Sequence, residues 1–220
     1  MARRQFAVIG LGRFGSSVAS TLYQLGYDVL AVDADESKVQ EMADRVTHAV
    51  QADATDDAAL KALGIRNFDV VVLSIGEDVQ ASILATISLR EAGVKYIVAK
   101  AINDRHGKVL AKIGADRVIY PERDMGVRLA HNLASGNVMD YIELAPGYSI
   151  AEVVAPPSFQ GKTLAELDLH NRYNLIVMAI RHGQEIDVAP GAKDKVGAGD
   201  VLVAMGDVEG LARMEAELEE

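Results

Sequence analysis

A chain of 220 residues with 22 basic and 32 acidic side chains carries a net charge of −10 and can bury one substantial core, or one core of about 140 residues beside a smaller one. The acidic balance disfavours a large footprint on a phosphate backbone, so nucleic acid is not an expected partner. There is no cysteine, which excludes disulfides and thiolate metal sites and fits a cytoplasmic chain. No run approaches the roughly 20 apolar residues that cross a bilayer, and the N-terminus lacks a signal-peptide core. Direct membrane insertion is therefore not expected, and a membrane would be reached through another protein.

The first 135 residues alternate strand-like and helix-like segments, the pattern of a parallel sheet with crossover helices. Phe6-Ala7-Val8-Ile9 is a short apolar strand, and a helix is predicted from about Phe14 to Leu25, stopped by Gly26. A strand over Asp28 to Val32 ends in Asp33, followed by a charged helix from about Glu36 to Arg45. His48 to Gln51, Asp69 to Leu73, Tyr96 to Ala99 and Arg117 to Tyr120 complete six strands. Helices are expected between them over about 56–63, 79–92 and 104–113, with a last one over 123–134. This order fits one doubly wound, Rossmann-type parallel sheet.

After Ser135-Gly136-Asn137 the texture changes to short alternating strands, over 139–144, 150–154, 175–180, 185–188 and 201–205. A short helix is expected near Leu164 to Leu167, and a charged one over about 208–218. The chain thus divides into an α/β nucleotide-binding domain over 1–135 and a smaller α+β domain over 138–220.

The motif Gly10-Leu11-Gly12-Arg13-Phe14-Gly15 sits between a predicted strand and a predicted helix, the context that gives such a loop its meaning. The helix N-terminus offers free N–H groups and a positive partial charge to phosphates. Asp33, 18 residues after Gly15, is placed to accept hydrogen bonds from ribose hydroxyls and to repel a 2′-phosphate. Arg13 adds a fixed charge with planar donors, which favours a triphosphate over a pyrophosphate; alternatively it is a solvated first-turn arginine. Further candidates lie at strand ends. Asp53-Ala54 could meet the adenosine or form a turn. Ile75-Gly76 could pack the base. Lys100 could reach phosphate or pair with a neighbouring acid.

A dehydrogenase needs an acid–base residue beside the nicotinamide. His170 and His182 fall in a loop and at a strand end, while His48, His106 and His131 are read as surface or half-buried residues. With no P-loop lysine motif either, a bound nucleotide without catalytic groups suggests a sensor rather than an enzyme.

Phe6 to Gly15, Val32-Asp33, Ala52-Asp53-Ala54-Thr55, the long run from Ile113 to Gly126 and the ending Gly199 to Gly206 together resemble the RCK (or KTN) domain. The resemblance is to the regulatory subunits of Ktr/Trk potassium-uptake systems, the Ktr type above all, and spans the whole chain. It implies a homodimer assembling into an octameric gating ring on the cytoplasmic face of a membrane potassium-channel subunit. It implies ATP and ADP competing for the glycine loop, with Arg13 reaching a γ-phosphate across the dimer. Glu122 would meet its symmetry mate and share Mg²⁺ or Ca²⁺. Cyclic di-AMP would bind a cleft of the second domain near Leu169, His170, Ile176 and Pro190. There the chain departs from the family pattern, with His170 in place of an arginine and Ile176 in place of an asparagine. A Trk-type regulator sensing NAD(H) and an NAD-linked oxidoreductase are the alternatives.

Overall fold

The computed structural model describes residues 4–134, 138–145 and 147–216. Six parallel strands form the first sheet: β1 (Gln5–Ile9), β2 (Asp28–Asp33), β3 (His48–Gln51), β4 (Val70–Leu73), β5 (Ile97–Lys100) and β6 (Arg117–Ile119). Their spatial order is β3-β2-β1-β4-β5-β6. The chain winds outward in one direction from β1 to β3, returns, and then winds outward the other way. The topological switch point lies between β1 and β4, paired from Phe6–Val70 to Ile9–Leu73.

The strands are apolar on both sides because helices cover both faces. Along β1, Ala7 and Ile9 join one core with Leu73, Ile97, Leu60, Leu89 and Leu110, the last three from helices α3 (Asp57–Ala62), α4 (Val79–Glu91) and α5 (Asp104–Ile113). Val8 points to the opposite core with Ala31 and Val72, beneath Ala19 of α1 (Arg13–Gln24) and Met42 of α2 (Glu36–Met42). Each fully buried leucine or isoleucine contributes about 1.5–3 kcal/mol, so the period-two alternation fixes strand register.

The helices α2 to α5 each open on a side-chain cap, supplied by Asp35, Asp56, Asp78 and Asn103. Helix α1 opens on Gly12 without one, and has no acidic residue in its first turn.

Helix α6 spans Pro121–Ala134, starting two residues earlier than expected because proline fits the first helical position. The chain packs as two compact units, one over Met1–Glu122 and another over Arg123–Glu220. That division falls inside the first turn of α6, whereas the sequence places it at Ser135-Gly136-Asn137, which lies outside the described residues.

The second unit holds an antiparallel sheet of β7 (Val138–Ala145), β8 (Tyr148–Val154), β9 (Leu175–His182), β10 (Glu185–Val188) and β11 (Val201–Asp207), ordered β10-β9-β11-β8-β7. Its core gathers Val153, Phe159, Leu167, Leu175, Ile180, Leu202, Leu211 and Met214. Helices α7 (Leu164–Leu167), α8 (Leu169–Tyr173) and α9 (Val208–Ala216) accompany it. Thr163 and Glu166 cap α7 reciprocally. Helix α8 corrects the expectation of a loop at His170: Asp168 and Asn174, both left-handed, bracket a single helical turn too short to show a period.

Candidate functional site

The glycine loop leaves β1 at the switch point, and three short-range facts shape it. Gly10 has φ +90, and a Cβ there would lie 3.0 Å from the Ile75 nitrogen, so glycine is needed for both conformation and space. A Cβ on Gly15 would sit 1.9 Å from the Gly10 carbonyl oxygen, so α1 packs against its own loop more closely than alanine allows. Gly12 faces open space. The loop is held by Gly10 N–H donating to Val32 O at 2.8 Å and Ser16 Oγ donating to Leu11 O at 2.8 Å. The N–H groups at the start of α1 carry no side-chain cap, and they lie at the switch point, where this topology binds ligands.

Asp33 occupies the end of β2 with its side chain 12% exposed. Its Oδ2 accepts from the Leu11 N–H at 2.6 Å and its Oδ1 from the Asp35 N–H at 2.9 Å. The carboxylate therefore braces the glycine loop, a role that spacing alone did not reveal. Each oxygen keeps a lone pair for a further donor.

Asp53 is a turn aspartate: its Oδ1 accepts from both the Thr55 N–H and Thr55 Oγ1 at 2.8 Å. Those bonds from Thr55, backbone first, hold its carboxyl below the usual range. Ala54 is buried in the core, and Ile75 packs against the same core. Gly76 leaves a notch that Lys100 fills, with its Nζ 3.3 Å from where a Cβ would stand.

Lys100 ends β5 beside the notch, 6.0 Å from the centroid of the Phe14 ring. Its ammonium pairs with Glu122 Oε1 at 2.5 Å, so the neighbouring-acid alternative describes Lys100 in this structure. The Lys100 hydrogen bond is the main reason the Glu122 carboxyl lies below its ordinary value, with the Arg13 charge adding to it. Arg13, Lys100 and Glu122 thus share one electrostatic neighbourhood around the loop.

Ser74 escaped the sequence reading. Its hydroxyl is buried without a hydrogen-bond partner and lies 2.9 Å from the position a Gly15 Cβ would take. A serine directly before Ile75-Gly76 was the available signal. His106 is more buried than expected, at 4% exposure, and burial pushes its pKa down. His48 is exposed, and the His131 side chain lies outside the described residues.

In the second unit a pocket of about 230 Å³ is lined by Leu169, His170 and Ile176 together with Leu164, Asp168 and Val177. Pro190 is not among the lining residues. His182 Nδ1 lies 2.8 Å from Oδ2 of the buried Asp200, within the same unit.

A six-stranded parallel sheet with a glycine loop at its switch point, followed in sequence by a small antiparallel unit, defines a two-part class of protein. The TrkA-N domain matches residues 6–121 and the TrkA-C domain residues 149–219, and the chain belongs to the Ktr potassium-uptake proteins that carry these two domains. It is 48% identical to the Ktr system potassium uptake protein C of Bacillus subtilis, over 97% of this chain and 96% of the relative. The Ktr system potassium uptake protein A of the same organism is 45% identical, over 97% and 96% respectively. Among solved structures, the GsuK RCK domain superposes with a TM-score of 0.69 at 19% identity, covering 100% of this chain and 48% of that one. The GsuK channel bound to NAD gives a TM-score of 0.68 at 18% identity, over 100% and 40%. The chain thus spans about half the length of the GsuK chain or less, and the likeness is one of fold.

Proposed function

We propose that this chain is the nucleotide-sensing regulatory subunit of a potassium-uptake system, binding ATP or ADP at Gly10 to Gly15 and gating a separate membrane subunit. The observation that carries the reading is the pairing of an uncapped helix N-terminus with two cations, Arg13 and Lys100, in one electrostatic neighbourhood. Glu122 offsets one of these charges in this structure, and with that carboxylate displaced the two cations suit a triphosphate. Asp33 then takes the ribose. Family membership supplies the potassium-transport context. No helix among the described residues is long and apolar enough to cross a membrane; the proposed subunit is peripheral and cytoplasmic, held by its channel partner.

The reading is non-enzymatic. Glu122 and Asp53 are both driven toward the ionised form, so neither is poised near neutrality as a general acid or base. Mg²⁺ or Ca²⁺ takes hard oxygen ligands. Glu122 offers one exposed carboxylate, and the described residues hold no cluster of three acidic or histidine groups. A cation would therefore draw on phosphate oxygens and a second copy's glutamate, as a homodimer within an octameric ring supplies.

NAD(H) is the second reading, favoured by the half-buried Asp33 carboxylate at a ribose position and by GsuK having been solved with NAD. Thermal shift with ATP, ADP, NADH and cyclic di-AMP decides between them, since a ligand selective for the native state raises the midpoint. A rise with ATP and ADP but not NADH is expected. A rise with NADH alone would overturn the assignment.

A further inference from the structure

Lys100 and Glu122 form an ion pair of very unequal burial, and an inference follows that rests on reading the crevice as a nucleotide site. The Lys100 side chain is 13% exposed, its end laid into the Gly76 notch and facing the Phe14 ring. The Glu122 side chain is 68% exposed, on the first turn of α6. A mostly buried ammonium needs an anionic or hydrogen-bonding partner in every state, whereas an exposed carboxylate is hydrated at little cost when released. Of the two, Glu122 is the partner that leaves.

We propose that Glu122 is a built-in competitor for phosphate: in the ligand-free chain its carboxylate occupies the Lys100 ammonium, and a polyphosphate binds the crevice by displacing it. The exchange trades one carboxylate for a more highly charged anion, so Lys100 is never left without a counter-ion. It also makes binding self-limiting for weakly charged anions, which cannot outcompete a tethered carboxylate held at 2.5 Å. Once displaced, Glu122 carries an uncompensated negative charge beside the phosphates. Any divalent cation at this site is then recruited after the nucleotide and not before it.

The test is calorimetry of the full chain with ADP and with inorganic tripolyphosphate, in EDTA so that no divalent cation contributes. Glu122→Gln is expected to bind both anions roughly threefold or more tightly. In a Lys100→Met background, which keeps the stem and removes the ammonium, the same substitution is expected to give a clearly smaller gain, since only the repulsion between Glu122 and the phosphates is then relieved. Lys100→Gln repeats the cycle, and thermal midpoints within a few degrees of the unsubstituted chain establish that the variants are folded. A gain that persists undiminished without the ammonium means simple charge repulsion and overturns the exchange. Unchanged or weaker binding by Glu122→Gln overturns it as well, while leaving the nucleotide site standing. If the unsubstituted chain binds none of ADP, ATP or tripolyphosphate, the exchange and the reading of the crevice fall together.

Discussion

Arg13 begins α1 at the end where a cation opposes the helix dipole, and nothing in the first turn offsets it. A residue placed against the local field is tolerated where an anion compensates, and Glu122 supplies part of that compensation in this structure. On the proposed reading a γ-phosphate completes it. A charge-assisted contact of this kind contributes about 1.5–3 kcal/mol, or roughly tenfold to a hundredfold in affinity. Arg13→Ala is therefore expected to weaken ATP while sparing ADP, as measured by parallel titrations. An equal loss for both nucleotides would remove Arg13 from the γ-phosphate. Gly15 and Asp33 shape the loop itself, the first by admitting the Gly10 carbonyl and the second by holding the Leu11 N–H.

At the scale of elements, the run from Ile113 to Gly126 has two jobs that its sequence does not separate. Its first half is a structural knot: Asp116 Oδ2 accepts from the Ile97 N–H at 2.7 Å and from Arg90, whose guanidinium also donates to the Gly114 carbonyl. These bonds tie α4, β5 and α5 to the edge strand β6. Its second half carries the chain through Pro121 into α6 and delivers Glu122 to Lys100. Burial works to raise the Asp116 carboxyl, but the bonds from Ile97 and Arg90 outweigh it and hold the value below the usual range. A carboxyl whose folded value is depressed contributes stability above its unfolded value, near 3.9, and loses it as pH falls through the folded value. Asp116→Ala is expected to cost about 2 kcal/mol at pH 7 by urea denaturation. The gap between variant and parent should close as pH is lowered below about 4. A gap that stays constant to pH 3 would mean that Asp116 acts through packing rather than charge.

At the scale of the molecule, apolar side chains remain uncovered in one copy. Met125, Leu129 and Leu133 recur at four-residue intervals on α6 and are 59%, 53% and 77% exposed. In the second unit, Ile186 and Val188 stand exposed on β10, the edge strand. Stripes of this kind are where a second copy is expected, and they are the surfaces that the proposed dimer and ring would bury. Leu129→Asp is expected to lower the mass measured by light scattering at least to half that of the parent while leaving the circular dichroism spectrum unchanged. An unaltered mass would exclude the α6 stripe from the assembly. The pocket at Leu169, His170 and Ile176 is a separate matter: Asp168 is also in its lining, and a carboxylate there disfavours a second anion. The thermal-shift panel above includes cyclic di-AMP for that reason.

Periodicity and punctuation are local properties, so the six parallel strands, their crossover helices and most of the second sheet were legible from the amino-acid order alone. So were the glycine loop at the end of the first strand and the acidic residue ending the second, as residue types at a fixed spacing along the chain. Helix α8 was not legible, since five residues are too few to display a 3.6-residue period. The tertiary structure decided what each candidate side chain touches. It turned Ala54 and Ile75 toward the core, closed Asp53 into a turn, and gave Asp33 a second task as a brace for the loop. It also brought Ser74 beneath Gly15 and joined Lys100 to Glu122 across 22 residues of sequence. Such pairings depend on the order in which strands lie beside one another, and strand order is set by the packing of both faces of the sheet at once, which no local run of residues encodes.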